Sequence, residues 1–222
     1  MPGTDVPWLG HRIRAERVRQ GMSLRGLARE VGVSASMISQ IETAKSQPSV
    51  STLYAITSTL GISIEDLFLP PEGAPALPEG APAPAAPARP AVGLPTTVLE
   101  ALGSIRGARL GPLVRPDERR VLTLDSGVTW EMLGELPGRT VDFLRITYPP
   151  GGTSSSNGGL MRHAGCEYGM VLQGELILTL GFDEIHLRPG DAISFESTTP
   201  HRYRNDGTEP AVGIWFVLER GH

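Results

Sequence analysis

From Pro70 to Pro95 the chain reads PPEGAPALPEGAPAPAAPARPAVGLP, with nine of its 20 prolines in 26 residues. Proline removes a backbone donor and fixes φ, so this stretch cannot join a helix or a central strand. It is also too poor in large apolar residues to bury a core, and it is expected to extend as a semi-stiff polyproline tether. The chain is thereby cut into two pieces that must each find their own partner surfaces. The hydrophobic period differs on the two sides of the cut: it is helical before it and alternating after it. The expected division is a helical domain over 9–69, a Pro/Ala-rich linker over 70–113 and a strand-rich domain over 114–219.

The first piece is punctuated like a set of short helices. "GHRIRAERVRQG" carries Ile13 and Val18 among arginines and stops at Gly21. "SLRGLAREVG" opens on Ser23 and repeats Leu24, Leu27, Ala28 and Val31 at helical spacing, with Gly32 as its end. "SASMISQIETAK" opens on Ser34 and places Ile38 and Ile41 on one face, and "PSVSTLYAITSTLG" places Leu53, Ile56 and Leu60 on one face before Gly61. Ser63 and Asp66 form a capping box for a last short helix. Between Leu9 and Lys45 seven basic residues face three acidic ones, a local charge of +4 in a chain whose net charge is −4. A small basic module on an acidic remainder points to an anionic partner for that module alone.

Two short helices joined by "GVS", the second polar on its outer face, form a helix-turn-helix pattern. The second helix must be slim enough for the major groove and polar where it meets base edges. Ser34, Ala35, Ser36, Ser39 and Gln40 meet that need. Gln40 can pair bidentately with adenine, serine can donate or accept, and the Ala35 methyl can touch a thymine methyl. Arg12, Arg17, Arg25 and Lys45 are the expected phosphate contacts, which position without reading sequence. In order, LGxRIR, SLRxLA, GVSxSxISQIE and PSxxTL resemble the Xre/phage-repressor family of helix-turn-helix domains over about sixty residues. The resemblance implies a lambda-repressor-like all-α domain that binds a double-stranded DNA operator. The family often has glycine where this chain has Ala44, and an alanine there is expected to resist a left-handed turn, so that the loop runs differently.

The second piece alternates. "RVLTLDS", "VTWEMLGE", "VDFLRITYP", "EYGMVLQG", "ELILTLG", "EIHLRPG", "DAISFES", "HRYRN" and "AVGIWFVLE" are separated by Gly, Pro, Asn and Asp, which predicts an all-β barrel or sandwich. "TTVLEALGSIRGARLG" before them reads as a further helix. "GIWFVLE" is apolar on both faces, as a buried strand at a subunit contact would be.

From Gly152 to Asn205 this piece resembles the cupin superfamily, whose double-stranded β-helix, or jelly roll, encloses a ligand or metal pocket. In the family's first motif, His163, Glu167 and Gly174 fill the second histidine, the glutamate and the final glycine, while Met161 stands where the first histidine is expected. In the second, Gly190, His201 and Asn205 match, and Glu196 and Thr198 replace the middle Pro and Gly. His163 and Glu167 are four apart, an even number, so on a strand both point inward. Two imidazoles and a carboxylate form a set that suits Zn, Fe, Ni or Mn. The incomplete motif leaves open both a divalent metal held by His163, Glu167 and His201 and a metal-free pocket in which they bond each other or an organic ligand. Met161 narrows that pocket. Tyr203 shares parity with His201, and Arg145 is a candidate partner for a ligand carboxylate. Cys166 alternates away from Glu167.

These readings combine into a multidomain regulator of transcription. A helix-turn-helix domain binds an operator as a homodimer, and a cupin domain binds a small-molecule effector. The alternative is a mononuclear non-haem metal-dependent oxygenase, because the iron-dependent hydroxypropylphosphonate epoxidases pair the same two folds and share H-x3-E with a distal histidine. Cys166 is the only cysteine, no apolar run is long enough to span a bilayer, and the start shows no secretory pattern, so a reducing cytoplasm is the expected location.

Overall fold

A computed structural model describes residues 4–68, 113–135 and 141–218. The expected linker over 70–113 and the expected helix over 96–111 lie outside the described residues, apart from Leu113.

The first piece folds into five helices: α1 (Leu9–Arg19), α2 (Leu24–Val31), α3 (Ala35–Glu42), α4 (Val50–Leu60) and α5 (Ile64–Phe68). Their ends are set by the residues that mark them in sequence. Ser23 and Ser34 adopt extended backbone and their hydroxyls accept the Gly26 and Met37 amides. Gly32 and Gly61 close α2 and α4 in the left-handed region. Ser63 and Asp66 bond each other's amides reciprocally at 3.1 Å. Ile13, Leu27, Ile38, Leu53, Ile56 and Leu67 are fully buried between the helices. Gly10 permits the close approach of α1 to α3, since a Cβ there would lie 2.2 Å from the Ile41 carbonyl oxygen.

Among the described residues the strands of the second piece, joined by one from the chain start, form two sheets. One has seven strands in the order β1-β2-β3-β4-β10-β5-β8. They are β1 (Thr4–Asp5), β2 (Arg120–Thr123), β3 (Thr129–Gly134), β4 (Val141–Tyr148), β10 (Ala211–Leu218), β5 (Cys166–Gln173) and β8 (Ala192–Glu196). The other has three, in the order β7 (Asp183–Leu187), β6 (Leu176–Leu180) and β9 (His201–Arg204). Along β4 burial alternates residue by residue, with Asp142, Leu144, Ile146 and Tyr148 inward. The cupin motif residues Gly174 and Asn205 turn out to be structural. Gly174 has φ +70, and Asn205 brackets the chain by donating to the Tyr148 and Glu209 carbonyls.

The two pieces are docked on one another, which a tether alone does not require. The chain start adds β1 in parallel to β2, and the Val6 amide bonds the Val121 carbonyl at 2.9 Å. The loop before α4 accepts the Asp125 amide at the Pro48 carbonyl, 2.9 Å away. The first turn of α4 sends the Ser51 amide to the Ser154 carbonyl, also at 2.9 Å. Helix N-termini leave four amides without intrahelical partners, and here the barrel supplies an acceptor for one of them. Tyr54 of α4 packs against Trp130 of β3 with ring centroids 5.7 Å apart.

Candidate functional site

The polar face of α3 lies where a recognition helix must present it. Ile38, Ile41 and Glu42 point into the helical core, and Ser36, Ser39 and Gln40 are exposed. Ser34 is exposed but its hydroxyl caps the helix, and Ala35 is only half-exposed. Met37 joins the exposed face at 42 % accessibility, an apolar neighbour among the polar side chains. Arg25 and Lys45 are also exposed.

One expected phosphate contact, Arg17, is corrected, and a second, Arg12, has a partner inside the domain. Arg17 is buried, and its guanidinium makes a bidentate pair with Glu42 at 2.6 and 2.8 Å and donates to the Met22 carbonyl. It locks α1 to the end of α3. Arg12 is half-buried and donates from Nε to the Asp66 carbonyl at 3.2 Å, tying α1 to α5. Val18, an apolar mark among the arginines, points outward at 59 % accessibility. The Ala44 loop also differs from expectation. Ala44 adopts the left-handed region with φ +54, and the Ala44 and Lys45 amides bond the Ile41 and Gln40 carbonyls. These bonds close α3 as a glycine would, at a cost of about 1–2 kcal/mol for the Cβ.

Inside the barrel, His163, Glu167 and His201 are all buried, and one ligand atom from each lies within 4.8 Å of the others. Glu167 projects from β5 of the large sheet and His201 from β9 of the small one, so the group bridges the two sheets. His163 lies before β5, with Gly165 at φ +101 between it and Glu167. A turn, not strand alternation, therefore brings the two together.

Both imidazole Nε2 atoms face the same carboxylate oxygen. His163 Nε2 is 2.9 Å and His201 Nε2 is 3.0 Å from Glu167 Oε1. Both Nδ1 atoms face backbone carbonyls, Ala164 at 3.3 Å and Thr199 at 2.8 Å. Nδ1–H donation to a carbonyl leaves the Nε2 lone pair directed inward, the outer-shell arrangement that orients metal-binding histidines. Two such lone pairs against an ionised oxygen repel unless a cation or a second ring proton sits among them. His201 Nε2 is buried without a well-formed hydrogen bond. Bonds of about 2.1 Å at right angles place ligand atoms ~3.0 Å apart. The two nitrogen-to-oxygen separations match that spacing, and all three ligand atoms lie within 4.8 Å of one another, so the three side chains could hold a divalent ion.

Burial alone would raise the Glu167 carboxyl; its bonds and charge interactions with His163 and His201 outweigh this and hold it down at about 2. Its other oxygen accepts the Tyr203 hydroxyl at 3.0 Å, and Trp215 Nε1 donates to that hydroxyl at 3.2 Å. Burial raises the Tyr203 phenol well above its ordinary value, so it remains a donor. The Trp215 ring in turn lies over two glycines: a Cβ at Gly169 would be 2.4 Å, and at Gly213 2.2 Å, from ring atoms. Met161 is buried against the site and exchanges both backbone bonds with His201. Arg145 is corrected: it points to the outer face of β4, where it pairs with Glu131, because Leu144 and Ile146 take the inward positions. Cys166 is half-buried on the outward side of β5.

A five-helix unit with an exposed α3, docked on a two-sheet barrel with a buried His–Glu–His cluster, defines a helix-turn-helix–cupin protein. Comparison with known proteins bears this out. The Helix-turn-helix family HTH_3 matches residues 13–67 and the Cupin domain family Cupin_2 matches residues 144–217. The chain thus carries an Xre-type helix-turn-helix domain and a Cupin_2 domain. It is 29 % identical over 197 residues to the HTH-type transcriptional regulator PuuR of Escherichia coli K12, covering 88 % of this chain and 86 % of that one. A crystal structure of an HTH_3 family transcriptional regulator from Vibrio cholerae shares the fold, with a TM-score of 0.60, 22 % identity and 97 % of each chain covered. The hydroxypropylphosphonic acid epoxidase of S. wedmorenis aligns over 97 % of this chain and 99 % of its own, at 20 % identity and a TM-score of 0.42, too loose to bear on activity. No helix among the described residues is long and apolar enough to cross a membrane.

Proposed function

We propose that the protein is a cytoplasmic DNA-binding transcriptional regulator in which α3 reads an operator, with a cupin pocket that holds a divalent metal and a small-molecule effector. The observation that carries this reading is the exposure of Ser36, Ser39 and Gln40 on a capped α3, in a domain where Arg25 and Lys45 are exposed too. The kinship with PuuR supports it. A bound metal would offer a Lewis-acidic centre with open positions for an organic ligand. The protein's own part is to hold His163, Glu167 and His201 in a dry cavity, with Tyr203 and Trp215 fixing the carboxylate. Those three residues would also serve a non-haem oxygenase, and iron-dependent oxygen consumption with a small substrate would favour that reading.

Two measurements test this reading. Protein purified without added metal should contain close to one divalent ion per chain, and less than about 0.2 would end the metal part of it, since a preformed site of this kind binds tightly at neutral pH. Affinity for duplex DNA should fall steeply with salt, each phosphate contact adding ~0.9 to the log–log slope. A flat dependence would end the DNA part.

One α3 reads one half-site, so a second copy is needed for a near-palindromic operator. The outer face of the large sheet suits that partner. Phe143 stacks on Phe216 at 4.4 Å, and Tyr168, Met170 and Leu172 continue an apolar band at 44–51 % accessibility. Phe216→Asp should halve the molar mass measured by light scattering while leaving the fold intact. An unchanged mass would place the dimer contact elsewhere.

A further inference from the structure

The wall of the cupin pocket nearest His163 is not built by the barrel. It is helix α4 of the DNA-binding domain. Tyr54 lies flat on the His163 imidazole, with centroids 3.8 Å apart and planes within 1° of parallel. Val50, one turn earlier on the same helix, joins Tyr54 in lining the space beside Glu167, together with Trp130, Met161, Tyr203 and Trp215. Both α4 residues are nearly inaccessible to solvent. The space left beside Glu167 is about 10 Å³, roughly what one water needs. With Tyr54 seated, a water fits in this space; an organic molecule does not.

We propose that the effector site is shared between the two domains: Tyr54 is its closing wall, and an organic ligand reaches the metal only by displacing Tyr54 and lifting the first turn of α4 from the barrel. This inference rests on the metal reading given above. The coupling follows from position. Tyr54 is three residues from Ser51, whose amide holds α4 to the Ser154 carbonyl, and α4 packs on α2, the first helix of the DNA-binding pair. The seated and displaced states of Tyr54 are the two states that a ligand must distinguish if it is to alter DNA binding. A ligand that enters favours the displaced state. By reciprocity, anything that holds α4 down weakens the ligand.

The test uses the full chain, Zn²⁺, and acetohydroxamate as a small chelating probe of the metal's open positions. Amide exchange at Ser51 reports α4 docking. In zinc-loaded wild type, acetohydroxamate should speed Ser51 exchange by roughly tenfold or more. In Tyr54→Leu and Tyr54→Ala, Ser51 should exchange faster before any ligand is added, and the probe should bind at least about tenfold more tightly, because no displacement opposes it. Unchanged exchange at Leu27 shows that the helical core of each variant is folded. Probe binding to wild type with Ser51 exchange unaltered overturns the inference. So does equal probe affinity in wild type and variants, or no probe binding to any zinc-loaded form. If zinc itself fails to bind, the metal reading falls; the wall is then judged by the variants alone, and unaltered Ser51 exchange in both overturns it.

Discussion

Replacing Glu42 with alanine should destabilise the helical domain by about 3–5 kcal/mol, because it strands the Arg17 guanidinium inside the protein. Arg17 and Glu42 are buried and joined by two short bonds, and the remaining acceptor for Arg17 is the Met22 carbonyl. A charge left unpaired in such a place costs more than the pair contributed. Removing both charges in Arg17→Met/Glu42→Leu should therefore recover most of the loss, since isosteric apolar pairs often match a buried ion pair. Urea denaturation followed by far-UV circular dichroism checks both. A single variant with an unaltered midpoint would return Arg17 to the solvent-exposed role that the spacing of arginines alone suggests.

Replacing Glu167 with glutamine should abolish tight metal binding. The carboxylate is one of three groups that could hold the ion, and it accepts the Tyr203 hydroxyl. Zn²⁺ affinity, read by competition with a colorimetric chelator, should fall by more than the ~10–100-fold that follows loss of an outer-shell partner. Unchanged affinity would remove the site. The same variant has a pH signature. Glu167 is held at about 2 against an ordinary 4.5, so its ionised form stabilises the fold at every pH above the ordinary value. That contribution is lost as pH falls from about 4.5 through about 2. Metal-free wild type should lose stability over that window, and Glu167→Gln should lose less.

The elements of both domains were legible because their signals are local. Ser23, Ser34, Gly32 and Gly61 mark helix ends by chemistry that needs no distant partner, and alternation along β4 follows from one buried face. The His163, Glu167 and His201 cluster was legible through a resemblance, not through spacing, since Gly165 breaks the strand that parity assumed. What was missed is long-range, yet signals for it exist. Arg17 sits one turn after Ile13, on the buried face. Gly169 and Gly213 are glycines inside strands, which mark close approach, here by Trp215. Most telling is α4. Leu53, Ile56 and Leu60 make one apolar face, and Val50, Tyr54 and Thr57 make a second that is equally buried. A helix apolar on two sides has two partners. The second is the barrel, and it turns a tethered pair of domains into a docked one.

The central claim is that α3 reads duplex DNA through its outward side chains, and selection from a random duplex pool tests it most directly. Wild-type protein should enrich a near-palindromic sequence with half-sites ~34 Å apart. Ser36→Ala/Gln40→Ala should bind bulk DNA within a few-fold of wild type but lose discrimination at the contacted positions by about 1–3 kcal/mol per lost bidentate pair. If the double variant enriches the same sequence as wild type, α3 is not the reading element and the account is wrong.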